Sequence, residues 1–353
     1  MIPKKRKLLK RTIPFLLAGL LVFACYLHFF VDVSETIKLI QSVNPFYYSL
    51  AVTALLLDVV FFTLTWQFFL RPSSVKVPFS KIFKFVWVGT FVDILVPAES
   101  ISGEISRAYL MTKELDENQT GKVVASLISH RILSMIITLS SLTVGYTTFF
   151  VLKNSFPNFI ASLALLVAVG TAIPLVIMFL LCVKPRWTKK IVDALIRSLN
   201  FISRGRWQLS SLRTKIMKGL KIFHESIETL GAKPKRLVPP VAFSIISWFF
   251  ALLISYFVFL SLNHPIPFSI VLVVFSISVA VQSIPLGIPA DIGVADTIMT
   301  ALYIPFLAPL FGAEIAPSVS AAATILTRLL TVWLRFFLGF VAVQWVAIKD
   351  VMS

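Results

Sequence analysis

Eleven ionisable side chains lie inside or beside apolar runs of this 353-residue chain: Asp58, Asp93, Glu99, Glu104, Arg107, His130, Arg131, Asp291, Asp296, Arg328 and Arg335. A charge at the centre of a bilayer costs ~2.5–3.5 kcal/mol on insertion scales, so such residues need partners or a task. The acids gather at two segments broken by proline and glycine, 97–104 and 284–296, whereas Arg131, Arg328 and Arg335 sit on long apolar runs. Arg328 and Arg335 are seven residues apart, which places them on one face of an α-helix, two turns apart. One reading is that the charges pair and lock a helix bundle. The reading favoured by their co-location is a polar cavity that takes a lipid headgroup or an ion. Its expected substrate-binding set is Glu104, Arg107, Arg131, Asp291, Asp296, Arg328 and Arg335. Arg131, Arg328 and Arg335 would hold a phosphate by charge-assisted bonds. Glu104, Asp291 and Asp296 would balance those cations and bind an amine.

Other chemistry has little support. There is no Walker A sequence and no Gly-x-Ser-x-Gly. The four histidines, at 28, 130, 224 and 264, have no zinc spacing. Cys25 and Cys182 are 157 residues apart in apolar segments and read as small buried hydrophobes. No catalytic group, cofactor or metal is therefore expected. An enzymatic alternative is a multi-span glycosyltransferase that uses a lipid-linked sugar and needs a loop acid pair. Asp32 and Glu35 are the loop candidates, and solvated charges at a span end explain them as well. A third class is an ion-coupled small-solute transporter with Asp93 or Asp296 as proton carrier.

The composition sets the solvent. The chain is 58% hydrophobic and 14% charged, against roughly 25% charged in soluble domains. That is too little polar surface for a water-facing globule, and a soluble enzyme, a disordered chain and a disulfide scaffold are excluded. The net charge is +17, from 33 Lys and Arg against 16 Asp and Glu. The positives form two blocks beside apolar runs, Lys4–Arg11 and 184–236, the latter with fourteen Lys/Arg. Such blocks mark the cytoplasmic side and attract anionic lipid. No aromatic-basic platform accompanies them, so nucleic acid is not an expected partner. The expected partners are membrane lipids bearing phosphate, with homo-oligomers left open.

These residues require an all-α polytopic membrane bundle, read as one integral membrane domain over 1–353. About eight spans are expected, at 12–31, 46–70, 123–151, 158–183, 238–262, 266–285, 297–311 and 318–348. The first is an uncleaved span, because no small-residue cleavage site follows it. The run 85–97 is too short to cross and ends in a Pro/Glu/Ser/Gly cluster, as a re-entrant or broken helix does. Segment 284–296 is interrupted in the same way. The loop 184–236 carries Leu209, Leu212, Ile216, Leu220, Phe223, Ile227 and Leu230 at steps of three and four, an amphipathic helix. It could pack on the spans or lie in the headgroup layer. The positive-inside rule puts the N-terminus and 184–236 in the cytoplasm of a plasma membrane. Eight crossings return the C-terminus there, whereas a hairpin over 266–296 dipping from outside would reverse the last two. No Lys or Arg occurs from 237 to 327, so charge does not decide. Each half also carries a Pro/Gly break with an acid, then an arginine 28 or 35 residues past the glycine (Gly103 to Arg131, Gly293 to Arg328). A duplicated transporter architecture has this form.

Gly103-Glu104-Ile105-Ser106-Arg107-Ala108-Tyr109-Leu110 resembles the Gly-Glu-x-x-Arg-Ala signature of the lysylphosphatidylglycerol synthase transmembrane-region family. Ile284-Pro285 through Asp296 resembles its second Pro-Gly-Gly acidic segment, and Thr327-Arg328-Leu329-Leu330 the arginine of its final long span. The resemblance covers about 80–350. It implies a bacterial or archaeal membrane protein akin to the lipid-flipping half of multiple-peptide-resistance proteins. His130 stands where the family often has Glu, Asp296 where Glu is usual, and Ala98-Glu99 where a glycine-rich step follows the proline. No soluble aminoacyl-transferase domain follows, so lipid lysinylation is not implied. The resulting expectation is a lipid translocase that moves a polar-headed lipid between leaflets.

Overall fold

A computed structural model describes residues 21, 23–73, 75–96, 101–115, 119–151, 158–202, 209–232, 234–282 and 287–352. Among them there are helices and turns and no strand. Apolar helices are the expected solution in lipid, because each satisfies its backbone polar groups internally.

A short helix, α1 (Val33–Gln41), is capped by Asp32, whose carboxylate accepts from the Glu35 N–H at 3.0 Å. The first long helix, α2 (Pro45–Leu70), starts where Asn44 accepts from the Phe46 N–H and Pro45 supplies a preset φ. Its 26 residues span about 39 Å, enough to cross a bilayer. The sequence expectation of a span over 12–31 lies mostly outside the described residues.

Next come α3 (Phe79–Leu95) and α4 (Ile101–Glu114), the segment read as re-entrant. Val96, ahead of Pro97, is extended (φ −102°, ψ 117°), as a residue before proline prefers. The two helices fold back on each other. At their open ends Lys81 pairs with Glu114. Near the tip Asp93 Oδ1 accepts from the Ser102 hydroxyl at 2.8 Å and the Gly103 N–H at 2.6 Å. A Cβ on Gly103 would lie 2.6 Å from the Gly89 carbonyl oxygen, so this crossing admits only glycine. Position 97, with 98–100, lies outside the described residues.

Two crossing helices follow, α5 (Thr120–Val151) and α6 (Asn158–Val183). The basic loop then holds two helices, α7 (Pro185–Ile202) and α8 (Leu209–Gly231). Helix α8 is the amphipathic helix read from the sequence. It packs on the spans, with Phe223, Leu220 and Ile227 against Ala125 of α5 and Cys182 of α6. That settles the open choice for α8. A helix over 185–202 was not foreseen.

In the second half, α9 (Val238–Ser261) runs beside α2, with Phe61 stacked on Phe250 at 5.7 Å. Helices α10 (Phe268–Gln282) and α11 (Val294–Phe311) form a second hairpin. His264, just before it, meets Phe311 at its end, with ring centroids 4.9 Å apart. Its tip includes a short turn, Pro289–Asp291, with positive φ at Gly287, Ala290, Asp291 and Gly293. Positions 283–286 lie outside the described residues. The last helix begins as α12 (Ala316–Arg328), continues as a π-helical segment Leu329–Leu334, and ends as α13 (Arg335–Met352). Its small residues Ser320 to Thr324 are fully buried, and Ser320 donates to the Thr300 carbonyl of α11 at 2.6 Å.

Among the described residues, six helices are long and apolar enough to cross a membrane, including the arm Pro289–Phe311. That arm is folded back with the 15-residue α10, so the runs at 266–285 and 297–311 form one hairpin. The sequence reading had 266–285 and 297–311 as two crossings, or else a hairpin over 266–296 with 297–311 as a separate crossing. The returning arm is 294–311 itself, because the break at 287–293 is the hairpin's tip. Asn44 and Ser261 meet at one end of the bundle, where the Asn44 N–H donates to the Ser261 carbonyl at 2.8 Å.

Candidate functional site

The two hairpin tips meet against the middles of the long helices, and a cavity of about 320 Å³ lies between them. Its lining includes Asp58, Asp93, Glu104 and Asp291 among the acids and Arg107, Arg131, Arg328 and Arg335 among the bases. Asp58 is the fourteenth residue of the 26 in α2, so the cavity sits near mid-depth of a crossing helix. The eight charges come from seven elements, Glu104 and Arg107 both lying on α4.

Arg328, at the end of α12, donates from Nε to Asp296 Oδ1 at 3.1 Å and from Nη2 to the Ala290 carbonyl at 2.6 Å. Asp296 Oδ2 in turn accepts from the Gly293 N–H at 2.7 Å, tying the start of α11. Gly293 has φ +89°, a conformation open to glycine and costly for other residues. One arginine thus holds the second tip through a side chain and a strained turn.

Arg335 donates from Nη2 to Asp58 Oδ2 at 2.6 Å, and Asp58 Oδ1 accepts from Ser247 of α9 at 2.6 Å. That node joins α2, α9 and α13. On the first hairpin, Glu104 faces Arg131 of α5 at 3.8 Å. Both are about a quarter exposed, making this the most open and loosest of the pairs between carboxylates and arginines in the cavity. Arg107 is held differently. Its Nε reaches the Gly103 carbonyl at 3.4 Å, and its guanidinium lies over the rings of Phe62 and Trp66 at 5.2 and 5.6 Å. Its Nη1 is buried and makes no hydrogen bond among the described residues, as does Nε of Arg335.

Six of the seven expected site residues therefore line one cavity, and Asp296 stands directly behind Arg328. Two of the acids expected to balance the arginines do so at contact distance: Glu104 with Arg131 and Asp296 with Arg328. The acid facing Arg335 is Asp58, which the sequence reading counted as ionisable but left out of the set. Asp93 and His130 were left out as well and also line the cavity. The signal for all three was on the page, an ionisable side chain at span depth. Their partners come from far along the chain, Asp58 and Arg335 being 277 residues apart, and no spacing rule reaches that far. Glu99 lies outside the described residues.

Arg328 and Arg335 do line the same cavity, but not on a continuous α-helix. The segment between them is π-helical, a form that often marks functional positions. The loop acids have local partners. Asp32 caps α1, and Glu35 lies 3.5 Å from Lys38. Among the described residues, no group of three His, Cys, Asp or Glu could hold a metal ion.

A sequence profile of the lysylphosphatidylglycerol synthase transmembrane region matches residues 16–339. The chain belongs to this family. Its relatives include a UPF0104 membrane protein of Pyrococcus horikoshii, 28% identical over 314 residues that cover 87% of this chain and 89% of the relative. Another, from Methanocaldococcus jannaschii, is 28% identical over 349 residues, 96% of this chain and 95% of the relative. A third, from Methanothermobacter thermautotrophicus, is 24% identical over 309 residues, 87% of each chain. The protein is a multi-pass membrane protein of this family, similar to archaeal membrane proteins. The Gly103 to Leu110 signature forms the first turns of α4, where Gly103 makes the close crossing and Glu104 and Arg107 reach the cavity.

Proposed function

We propose that this protein translocates a phosphate-bearing lipid between leaflets, with the headgroup passing through the charged cavity and the acyl tails left in the bilayer. The observation that carries the reading is the cavity itself, lined by four carboxylates and four guanidiniums near the middle of the bundle. Its volume is at the lower end of the ~300–1,000 Å³ usual for small-molecule sites, the scale of a headgroup rather than a whole lipid. Broken helices whose tips face a polar cavity are the general device by which transporters meet polar cargo at mid-depth.

Arg328 Nε and Nη2 and Arg335 Nη2 are turned to protein acceptors. Among the described residues, Arg107 Nη1 and Arg335 Nε are the buried arginine donors of the cavity with no protein acceptor, so a phosphate oxygen would complete them. The carboxylates Glu104 and Asp291 would meet an amine on the same headgroup. The partner is thus a membrane lipid, and no chemical step on it is invoked. Counting the span at 12–31, six helices cross and two hairpins return. The N-terminus, 184–236 and the C-terminus then share one face, which the positive-inside rule makes cytoplasmic.

The test is purified protein in vesicles containing a trace of headgroup- or chain-labelled fluorescent phospholipid. Dithionite, added outside, bleaches the outer leaflet alone in protein-free vesicles. The proposal expects bleaching of inner-leaflet probe with the protein present and its loss in Arg107→Gln protein that still melts normally. Wild-type vesicles that protect the inner leaflet as well as empty ones do, for zwitterionic and anionic probes alike, would remove lipid translocation without an energy source.

A further inference from the structure

Among the described residues, helix α7 (Pro185–Ile202) meets its neighbours α6 and α8. Its Asp193 receives Nε and Nη2 of Arg213 from α8 at 2.9 and 2.8 Å, and Ile196 is buried. On another face Trp187, Ile191 and Leu195 recur at steps of four and are 54%, 46% and 59% exposed. One apolar row left open in this way invites an occupant.

The occupant is indicated by what adjoins the row. Helix α6 ends at Val183, and its outer residues Val176, Phe179 and Val183 are exposed apolar side chains of a crossing helix. The chain then turns. The Thr188 hydroxyl donates to the Leu181 carbonyl at 2.6 Å. On a straight helix those residues would be about 10 Å apart along the axis, seven rises of 1.5 Å. So α7 leaves the axis of α6, and the Trp187 row begins four residues after Val183, the exposed last residue of that crossing helix. The second clue is charge. Arg186, Lys190 and Arg197 fall within about 40° of one another on the helix, roughly 120° round from the apolar row. All three are exposed, and none has a carboxylate partner among the described residues. A cationic row beside an apolar row with an aromatic at its head suits the boundary between acyl chains and anionic headgroups.

We propose that α7 is an in-plane membrane anchor that binds an anionic lipid surface, with Trp187, Ile191 and Leu195 at the acyl boundary and Arg186, Lys190 and Arg197 among the phosphates. The sequence alternative of a headgroup-layer helix thus applies to α7 and not to α8. Because α8 rests on α5, which carries His130 and Arg131, the anchor also fixes one wall of the bundle to the leaflet. The proposal does not depend on lipid translocation.

The test uses the full chain with Cys25→Ser and Cys182→Ala, carrying a single bimane-labelled cysteine at position 191, 195 or 190. It is reconstituted in phosphatidylcholine vesicles with or without phosphatidylglycerol. Brominated acyl chains should quench the probes at 191 and 195, aqueous iodide should quench the probe at 190, and the contrast should grow with phosphatidylglycerol and shrink in high salt. Probes at 191 and 195 open to iodide would put the row in water and end the proposal. Probes shielded from both quenchers would assign it to a protein contact, a second copy included, and end it equally. A contrast indifferent to phosphatidylglycerol would remove the anionic specificity. Since labelling could disturb folding, amide exchange over 185–202 in the unaltered chain gives an independent reading. It should slow when phosphatidylglycerol is added, and equal exchange in the two lipids speaks against the anchor.

Discussion

Removing the charge of Arg328 separates a lock from a grip. Its side chain and that of Asp296 are each about 10% exposed, so neither charge has water to fall back on. Arg328→Gln leaves Asp296 with the Gly293 N–H alone. Asp296→Asn leaves the buried Arg328 cation with neutral acceptors alone, the amide oxygen and the Ala290 carbonyl. Breaking a buried pair from one side costs ~3–5 kcal/mol. At roughly 2 °C per kcal/mol, the lower end of the range for large domains, either single change should lower the melting midpoint by about 6–10 °C. Combining them removes both charges and leaves two amides that can bond each other. The double variant should therefore be more stable than the sum of the singles, by up to ~3 kcal/mol of coupling.

Lipid movement should respond differently. The paired amides have no charge with which to hold a phosphate, so Arg328→Gln/Asp296→Asn protein should fold and translocate poorly. Arg328→Lys should recover part of the stability and less of the movement. One ammonium cannot serve both Asp296 Oδ1 and the Ala290 carbonyl through a rigid fork. The assays are melting followed by size-exclusion fluorescence and dithionite bleaching in vesicles. A double variant destabilised by the full sum of the two single changes would refute the energetic coupling. Full lipid movement in a well-folded double variant would refute the role of Arg328 in the site.

Other outcomes follow from neighbouring geometry. Gly103→Ala should lower stability by ~1–3 kcal/mol, because its Cβ meets the Gly89 carbonyl; thermal melting checks this, with Gly170→Ala, where nothing lies within 4 Å, as a neutral control. Asp58→Ala should be far more damaging to folded yield than Asp58→Asn, since the amide can still meet Ser247 and Arg335; equal yields would argue against the node. Cysteines introduced at Lys221 and Glu314, in a chain lacking Cys25 and Cys182, test sidedness. An impermeant reagent should label position 314 in intact cells and position 221 only after permeabilisation, and the reverse pattern would invert the topology.

What the sequence could show follows from the range of each signal. Hydrophobic run length and Pro/Gly breaks are local, and they located the crossing helices and both interruptions. The same locality leaves two arrangements of 266–311, a pair of crossings or one hairpin, equal in sequence. An apolar arm that returns and one that crosses have the same composition, and what the fold adds is the depth of the tip, where Asp291 lines one cavity with Asp58 from the middle of α2. The amphipathic stripe of α8 was legible because seven apolar residues kept one period. That of α7 was masked by the dense cations around it and by the turn at Lys184. For the cavity, the cost of charge in lipid was enough to choose Arg107, Arg131, Arg328 and Arg335. It could not choose their partners, because Asp58 reaches Arg335 only after α2, α9 and α13 are packed side by side. Glu104 with Arg131 and Asp296 with Arg328 were recoverable because each pair joins a hairpin to the long helix that follows it in the chain. The two hairpins thus repeat one arrangement. A glycine N–H opens the returning arm onto a carboxylate, and an acid on that arm meets an arginine on the next long helix. The repetition is not complete. The second pair is closed and shielded, and its arginine also holds the Ala290 carbonyl, whereas the first is looser and open to the cavity, and under the proposed translocation that difference makes Glu104 and Arg131 the pair a passing headgroup could separate at least cost.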